Sequence, residues 1–157
     1  MKKLVHVAVG VIFDCPPDNQ DVDKGQEQLR EKGKVLIAKR ADHQHQGGLW
    51  EFPGGKVESG ESVQVALQRE LEEELGLQCS IEDMRPLITI PFHYPDKSVL
   101  LDVWSVYNGK LPNTHAAENE FIGKEDQPLV WVEQADMPVL PWCLIKKAVT
   151  LIRVKSC

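Results

Sequence analysis

The sequence predicts an α+β fold, with helices packed on a mixed β-sheet. Three observations carry that expectation. The chain opens on a β-branched run, Leu4–Phe13, with Val5, Val7, Val9 and Val11 in alternation. A segment rich in strong helix formers, ALQRELEEELGL, follows three short extended stretches. Further strands and a last amphipathic segment follow, so the order is β-β-β-α, strands, then α.

Taken in order, Leu4–Phe13 is the first strand. Residues 14–33 are polar, with Pro16-Pro17 and mixed charges, and read as a long hairpin loop to a returning strand, Lys34–Lys39. Residues 40–48 (RADHQHQGG) are turn-rich. His43 and His45 lie two apart on this loop with no third partner, which suits solvated surface histidines. Leu49–Phe52 is a short strand closed by Pro53-Gly54-Gly55, and Lys56-Val57 continues extended. The helix follows, with Ser59 or Ser62 as its cap and Gly76 in the left-handed position that returns Leu77 to the core. Arg85–Tyr94 and Ser98–Tyr107, separated by Pro95-Asp96-Lys97, form a β-hairpin, and Asn108-Gly109 is a turn. Residues 111–123 read as irregular. Leu129–Val132 is a short strand. Pro138 and Pro141 precede a final helix over 142–154, with Leu144, Ile145, Ala148, Leu151 and Ile152 as its apolar stripe.

The 157 residues form one domain, 1–157, large enough for a real core. The composition, 42% hydrophobic and 27% charged, is that of a globular protein, and no apolar run is long enough to span a membrane. The amino terminus alternates, contains His6 and ends at Asp14 without a small-residue cleavage site, so it reads as a strand, not a leader. Cys15, Cys79, Cys143 and Cys157 show neither C-x-x-C spacing nor paired histidines, which argues against zinc and for reduced thiols in a cytoplasmic protein. A net charge of −6 is the wrong sign for a nucleic-acid polymer. It is compatible with a small anionic substrate if cations reverse the local sign.

The helix carries the chemical signal. At 100° per residue, Val63, Ala66, Leu67 and Leu71 share one face. Glu70 and Glu74 fall in the same sector and Glu73 on its flank. Carboxylates along an apolar stripe are costly unless paired. Glu72, Glu73 and Glu74 also crowd the helix carboxyl terminus, where the macrodipole disfavours negative charge. A solvated acidic face would explain a Glu run alone. Broken local rules gathered in one place mark a functional site instead, and oxygen donors favour Mg²⁺ or Mn²⁺ over zinc.

Read as a pattern, the stretch from Gly55 to Leu77 places Glu61, Arg69-Glu70-Leu71, Glu73-Glu74 and Gly76-Leu77 at fixed intervals. It resembles the Nudix box with every defining position filled. The resemblance extends to VAVGVIF, IAKRA, LWEFPGGKVE, YPDKSVLLDVW and GKEDQPLVWV, which look like the MutT branch. Residues 14–33 and 108–122 look like insertions relative to compact members.

The resemblance implies an α/β/α sandwich built on a mixed sheet, with the Nudix-box helix and a carboxyl-terminal helix. It implies Mg²⁺-dependent hydrolysis of a nucleoside triphosphate to monophosphate and pyrophosphate. The implied substrate is 8-oxo-dGTP, in sanitation of the nucleotide pool that serves replication fidelity and DNA repair. CTP or dCTP is the alternative within the class, and a non-catalytic nucleotide-binding module the one outside it. No obligate protein partner is implied.

By the same resemblance, Glu70 and Glu74 are metal ligands, Glu73 a further one, and the Gly54 carbonyl a backbone ligand. Glu125 is the late-loop carboxylate that binds metal or takes the proton from water, and Glu70 is the other candidate base. Lys56 meets phosphate, Arg69 orients the glutamates, and Glu61 fastens the loop to the helix. Arg40 and Phe52 match residues beside the base. The Asn used by oxidised-guanine readers near the last helix has no counterpart: Pro141 or Cys143 stands there, leaving Asp136 or a backbone group as the polar substitute.

Overall fold

The computed structural model describes residues 3–14, 33–44, 47–107, 109–111 and 120–133. Its elements are β1 (Lys3–Ile12), β2 (Lys34–Lys39), β3 (Trp50–Glu51), β4 (Gly54–Lys56), α1 (Val63–Leu75), β5 (Met84–His93), β6 (Lys97–Val106), β7 (Glu120–Ile122) and β8 (Pro128–Glu133). A single 3₁₀ turn, Ile81–Asp83, links α1 to β5. The last helix expected over 142–154 lies outside the described residues, as do residues 15–32.

The strands form two four-stranded sheets. One has the order β4-β1-β6-β5 and is mixed: β1 runs parallel to β6 and antiparallel to β4. The other, β3-β2-β8-β7, is antiparallel throughout. The expected hairpin of β5 and β6 is present, with a register shift between Pro86 and Ile88.

The expected hairpin of β1 and β2 is not formed. The two strands fall in different sheets, linked at their ends by an isolated bridge from Phe13 to Val35, by the Asp14 N–H on the Lys34 carbonyl and by the Lys34 N–H on the Asp14 carboxylate. The reason is in β1 itself. Val9 and Val11 face the inter-sheet core with Val35, Ile37 and Phe52. Ala8 and Ile12 face Leu67, Leu71 and Leu75 of α1. A strand buried on both faces belongs at a sheet centre, and both edges of β1 are taken, by β6 over ten residues and by β4.

Helix α1 begins at Ser62, whose hydroxyl accepts the Val65 N–H at 3.3 Å. It ends at Gly76, where φ is 71°, and the N–H groups of Gly76 and Leu77 return to the Glu72 and Leu71 carbonyls. Ala66, Leu67, Leu71 and Leu75 are buried, as the apolar stripe predicts. Strand β7 lies where an irregular segment is expected. Three residues are too few for any periodicity to register, and β7 exists by pairing with β8.

Candidate active site

A cleft of about 670 Å³ opens over one end of the inter-sheet core. Its apolar wall includes Val7 and Val9 of β1 and Val99 and Leu101 of β6. Six of the residues singled out in the sequence line it: Arg40, Phe52, Gly54, Lys56, Glu74 and Glu125. They come from four separate stretches of chain.

Gly54 sits at the start of β4 with φ 155°, and its N–H donates to the Glu74 carboxylate. A side chain there would overlap the Ala8 carbonyl, so only glycine lets β4 approach β1 this closely. Gly55 serves the space above the helix. A Cβ on it would stand inside contact distance of the Glu70 carboxyl, which lies directly under this turn.

The box is fastened by Arg69. Its Nη2 and Nε donate to the two oxygens of Glu61 at 2.7 and 3.3 Å, and its Nη1 to Glu70 at 2.9 Å and Glu73 at 3.3 Å. Nη2 also reaches the Lys56 carbonyl at 3.1 Å. Glu61 in turn accepts the Glu58 N–H at 2.7 Å. The Arg69 hydrogen bonds, helped by that N–H, hold the Glu61 carboxyl below its ordinary range, while Glu61 and Glu70 raise the Arg69 guanidinium above its own. The orienting role read for Arg69 and the fastening role read for Glu61 thus have direct geometric content.

Glu74 is the electrostatic centre. Its carboxyl is pushed up to about 8, first by burial and then by the charges of Glu70, Glu125 and Glu51, with only the Gly54 N–H acting the other way. Glu73 stands apart, 58% exposed and turned to Arg69. Among the described residues, no three His, Cys, Asp or Glu side chains are already gathered around one point. The donors nevertheless suit a hard divalent cation: they are all oxygens, and a half-buried carboxyl under the charge of three others would be relieved by a cation.

Two parts of the site were not legible in advance. Glu51 lines the cleft and pairs with Arg40 at 2.7 Å. Burial raises its carboxyl despite that guanidinium. A carboxylate inside the apolar run LWEF was the available signal, by the same logic that singled out Glu74. The second part is the turn of residues 123–127 between β7 and β8, which carries Glu125. The Lys124 N–H donates to the Glu74 carbonyl at 2.8 Å, and Lys124 Nζ pairs with Glu72 at 2.8 Å. Asp136, Pro141 and Cys143 lie outside the described residues, as does His45. Cys79 is a free thiol that burial pushes up to about 11, unsuited to nucleophilic work.

A helix bearing a carboxylate cluster, a glycine turn above it and a carboxylate loop docked at its end are the parts of one family's site. The chain belongs to the Nudix family: the NUDIX domain model matches residues 28–150. It is 37% identical to an 8-oxo-dGTP diphosphatase of Proteus vulgaris, over 69% of this chain and 81% of that protein. It is 35% identical to the CTP pyrophosphohydrolase of Escherichia coli, over 72% of this chain and 78% of that one. The fold is similar to a MutT structure from a study of the Aliivibrio salmonicida and Vibrio cholerae proteins, with a TM-score of 0.68 and 29% identity over 98% of this chain and 99% of that one. More narrowly, the chain is a MutT-like Nudix hydrolase, an enzyme acting on phosphorus anhydrides of nucleotides. Enzymes of this family generally need divalent metal ions. No helix among the described residues is long and apolar enough to cross a membrane.

Proposed function

We propose that this protein is a Mg²⁺-dependent nucleoside triphosphate pyrophosphohydrolase whose substrate is 8-oxo-dGTP. The observation that carries the reading is the convergence of Glu74, Gly54, Lys56 and Glu125 on one cleft, with Glu70 near enough to help raise the Glu74 carboxyl. The similarity to 8-oxo-dGTP diphosphatases supports the choice of base.

In this reading the triphosphate lies across the Glu74–Lys56 end of the cleft, and the base enters toward Phe52 and Arg40. Water attacks a phosphorus of the chain. The anhydride P–O bond breaks, and the nucleoside monophosphate and pyrophosphate leave. Glu70, Glu73, Glu74, Glu125 and the Gly54 carbonyl are the groups that would hold Mg²⁺ or Mn²⁺. Bound there, such ions neutralise phosphate charge and lower the proton affinity of water, which is most of what phosphoryl transfer requires. Glu70 or Glu125 takes the proton from the attacking water. Lys56, exposed at the cleft mouth, meets phosphate oxygens. Phe52 is only 3% exposed and belongs to the inter-sheet core as well as to the cleft wall, so its contribution is a packed apolar surface beside the base.

The test is a panel of triphosphates, 8-oxo-dGTP, dGTP, CTP and dCTP among them, assayed for pyrophosphate release with Mg²⁺. Preference for 8-oxo-dGTP over dGTP is expected. Preference for a cytidine nucleotide would favour the second reading, which the similarity to a CTP pyrophosphohydrolase supports. Tight nucleotide binding with no hydrolysis of any kind would point to a binding module.

A second expectation arises from the glycine turn. Gly55→Ala places a methyl group against the Glu70 carboxyl, a flexible end that can be pushed aside without unfolding the chain. Turnover should fall by about 10²-fold, because a shift of roughly 1 Å in a positioned group costs that much. The melting temperature should move by only a few degrees. Unchanged turnover would remove Glu70 from the chemistry.

A further inference from the structure

We propose that Gln127 is a positioning residue: its side-chain amide, lodged against Gly123, ties the backbone of Glu125 to the carboxyl-terminal end of the helix that carries Glu74. The inference rests on the reading above, in which Glu74 and Glu125 both serve hydrolysis.

The amide uses both of its ends. Gln127 Oε1 accepts the Glu125 N–H at 3.0 Å, and Gln127 Nε2 donates to the Glu74 carbonyl at 3.1 Å. That carbonyl also accepts the Lys124 N–H, so its two lone pairs are both used, as the last turn of a helix requires. One side chain therefore spans two catalytic segments that lie about fifty residues apart in sequence.

The turn is built to present this amide. Gly123 N–H donates to the Gln127 carbonyl at 2.9 Å and Asp126 N–H to the Gly123 carbonyl at 3.1 Å, closing a three-residue tip with Glu125 in its middle. Asp126 takes the left-handed conformation, φ 60°, that such a tip needs. Gly123 is the second, independent sign. A Cβ there would stand 2.6 Å from Gln127 Oε1 and 2.7 Å from Cδ, so the amide occupies the space of the missing side chain.

Glu125 is exposed, and its backbone N–H is held within this turn by Gln127. Its carboxylate must nevertheless meet the cleft beside half-buried Glu74. Two hydrogen bonds are a small part of the stability of a domain. An ångström of drift in a catalytic carboxylate is not small for turnover.

Two variants separate positioning from packing. Gln127→Met keeps the volume and loses both hydrogen bonds. Gly123→Ala keeps Gln127 and forces its flexible amide end away. With whichever triphosphate of the panel is turned over fastest, both should lower kcat by about 10- to 100-fold. KM should stay within about threefold, and the Mg²⁺ concentration for half-maximal rate should rise several-fold. In a Glu125→Ala background, either substitution should add less than about twofold, since the group it positions is gone. Wild-type kcat in Gln127→Met would overturn the proposal. A loss of equal size in both backgrounds would overturn it too, by placing the effect elsewhere than on Glu125. Full activity of Glu125→Ala alone would instead overturn the catalytic reading of Glu125, whatever the bridge variants do.

Discussion

Glu74→Gln is expected to lower turnover by three or more orders of magnitude and, in the absence of divalent ions, to raise the melting temperature. The two effects have one cause. Glu74 is half-buried on the helix where it lines the cleft, and the charges of Glu70, Glu125 and Glu51 act on it. In the metal-free chain this carboxyl is pushed up to about 8 from an ordinary value of 4.5. Between those two values the folded chain binds a proton that the unfolded chain does not. The stability associated with the group is therefore fully present below about pH 4.5 and is lost as pH rises through about 8. At neutral pH the ionised unfolded state is favoured by a few kcal/mol. A neutral amide of the same shape removes that penalty. For a chain of this size a gain of about 2 kcal/mol corresponds to roughly 4–8 °C. The comparison to make is melting temperature against pH for wild type and variant in chelator. The variant's advantage should grow from pH 5 to pH 8. Adding Mg²⁺ should stabilise wild type, release protons near neutral pH and reverse the order of the two proteins. A variant no more stable than wild type in chelator at pH 8 would sink the electrostatic account, while retained turnover would sink the catalytic one.

The same logic explains what could be read before any coordinates. The apolar face of α1 is visible from spacing because burial has a period, and Ser62 and Gly76 are visible because capping has a residue preference. Glu70 and Glu74 stood out because they violate that period, and a site held at a cost leaves such violations. The sheet partners of β1 were not visible. Its apolar run announces burial on two faces but not which strands flank it, and the parallel pairing with β6 joins residues more than ninety positions apart. Residues 123–127 fared similarly. The carboxylate Glu125 was found through the GKEDQP pattern, but Gln127 has no periodic or compositional mark. Its role exists only once β7 and β8 bring the turn to the end of α1. Glu51 lay between: one acid in a short apolar strand, detectable by the reasoning used for the helix.

Arg69→Lys is expected to lower turnover by about 10²- to 10³-fold, nearly as far as Arg69→Met, although it keeps the positive charge. The guanidinium makes five hydrogen bonds, to both oxygens of Glu61, to Glu70, to Glu73 and to the Lys56 carbonyl. They lie on three segments: the turn before the helix, the helix, and the end of β4. A planar fork reaches them together, with Glu61 gripped through two nitrogens and one nitrogen shared between Glu70 and Glu73. An ammonium with three donors on a flexible stem neutralises one carboxylate and leaves the rest of the set unfastened. Charge is thus not what Arg69 mainly supplies. It fixes the distance between the Lys56 strand, which meets phosphate in the proposed reading, and the glutamates that would meet metal. The helix itself should survive, because its Ser62 and Gly76 caps and its buried Ala66, Leu67, Leu71 and Leu75 do not depend on Arg69. Circular dichroism should therefore retain the native helical signal in both variants, while the Mg²⁺ requirement rises and kcat falls. Near-wild-type turnover in Arg69→Lys, with Arg69→Met inactive, would show that charge alone suffices and that the fork geometry carries none of the function.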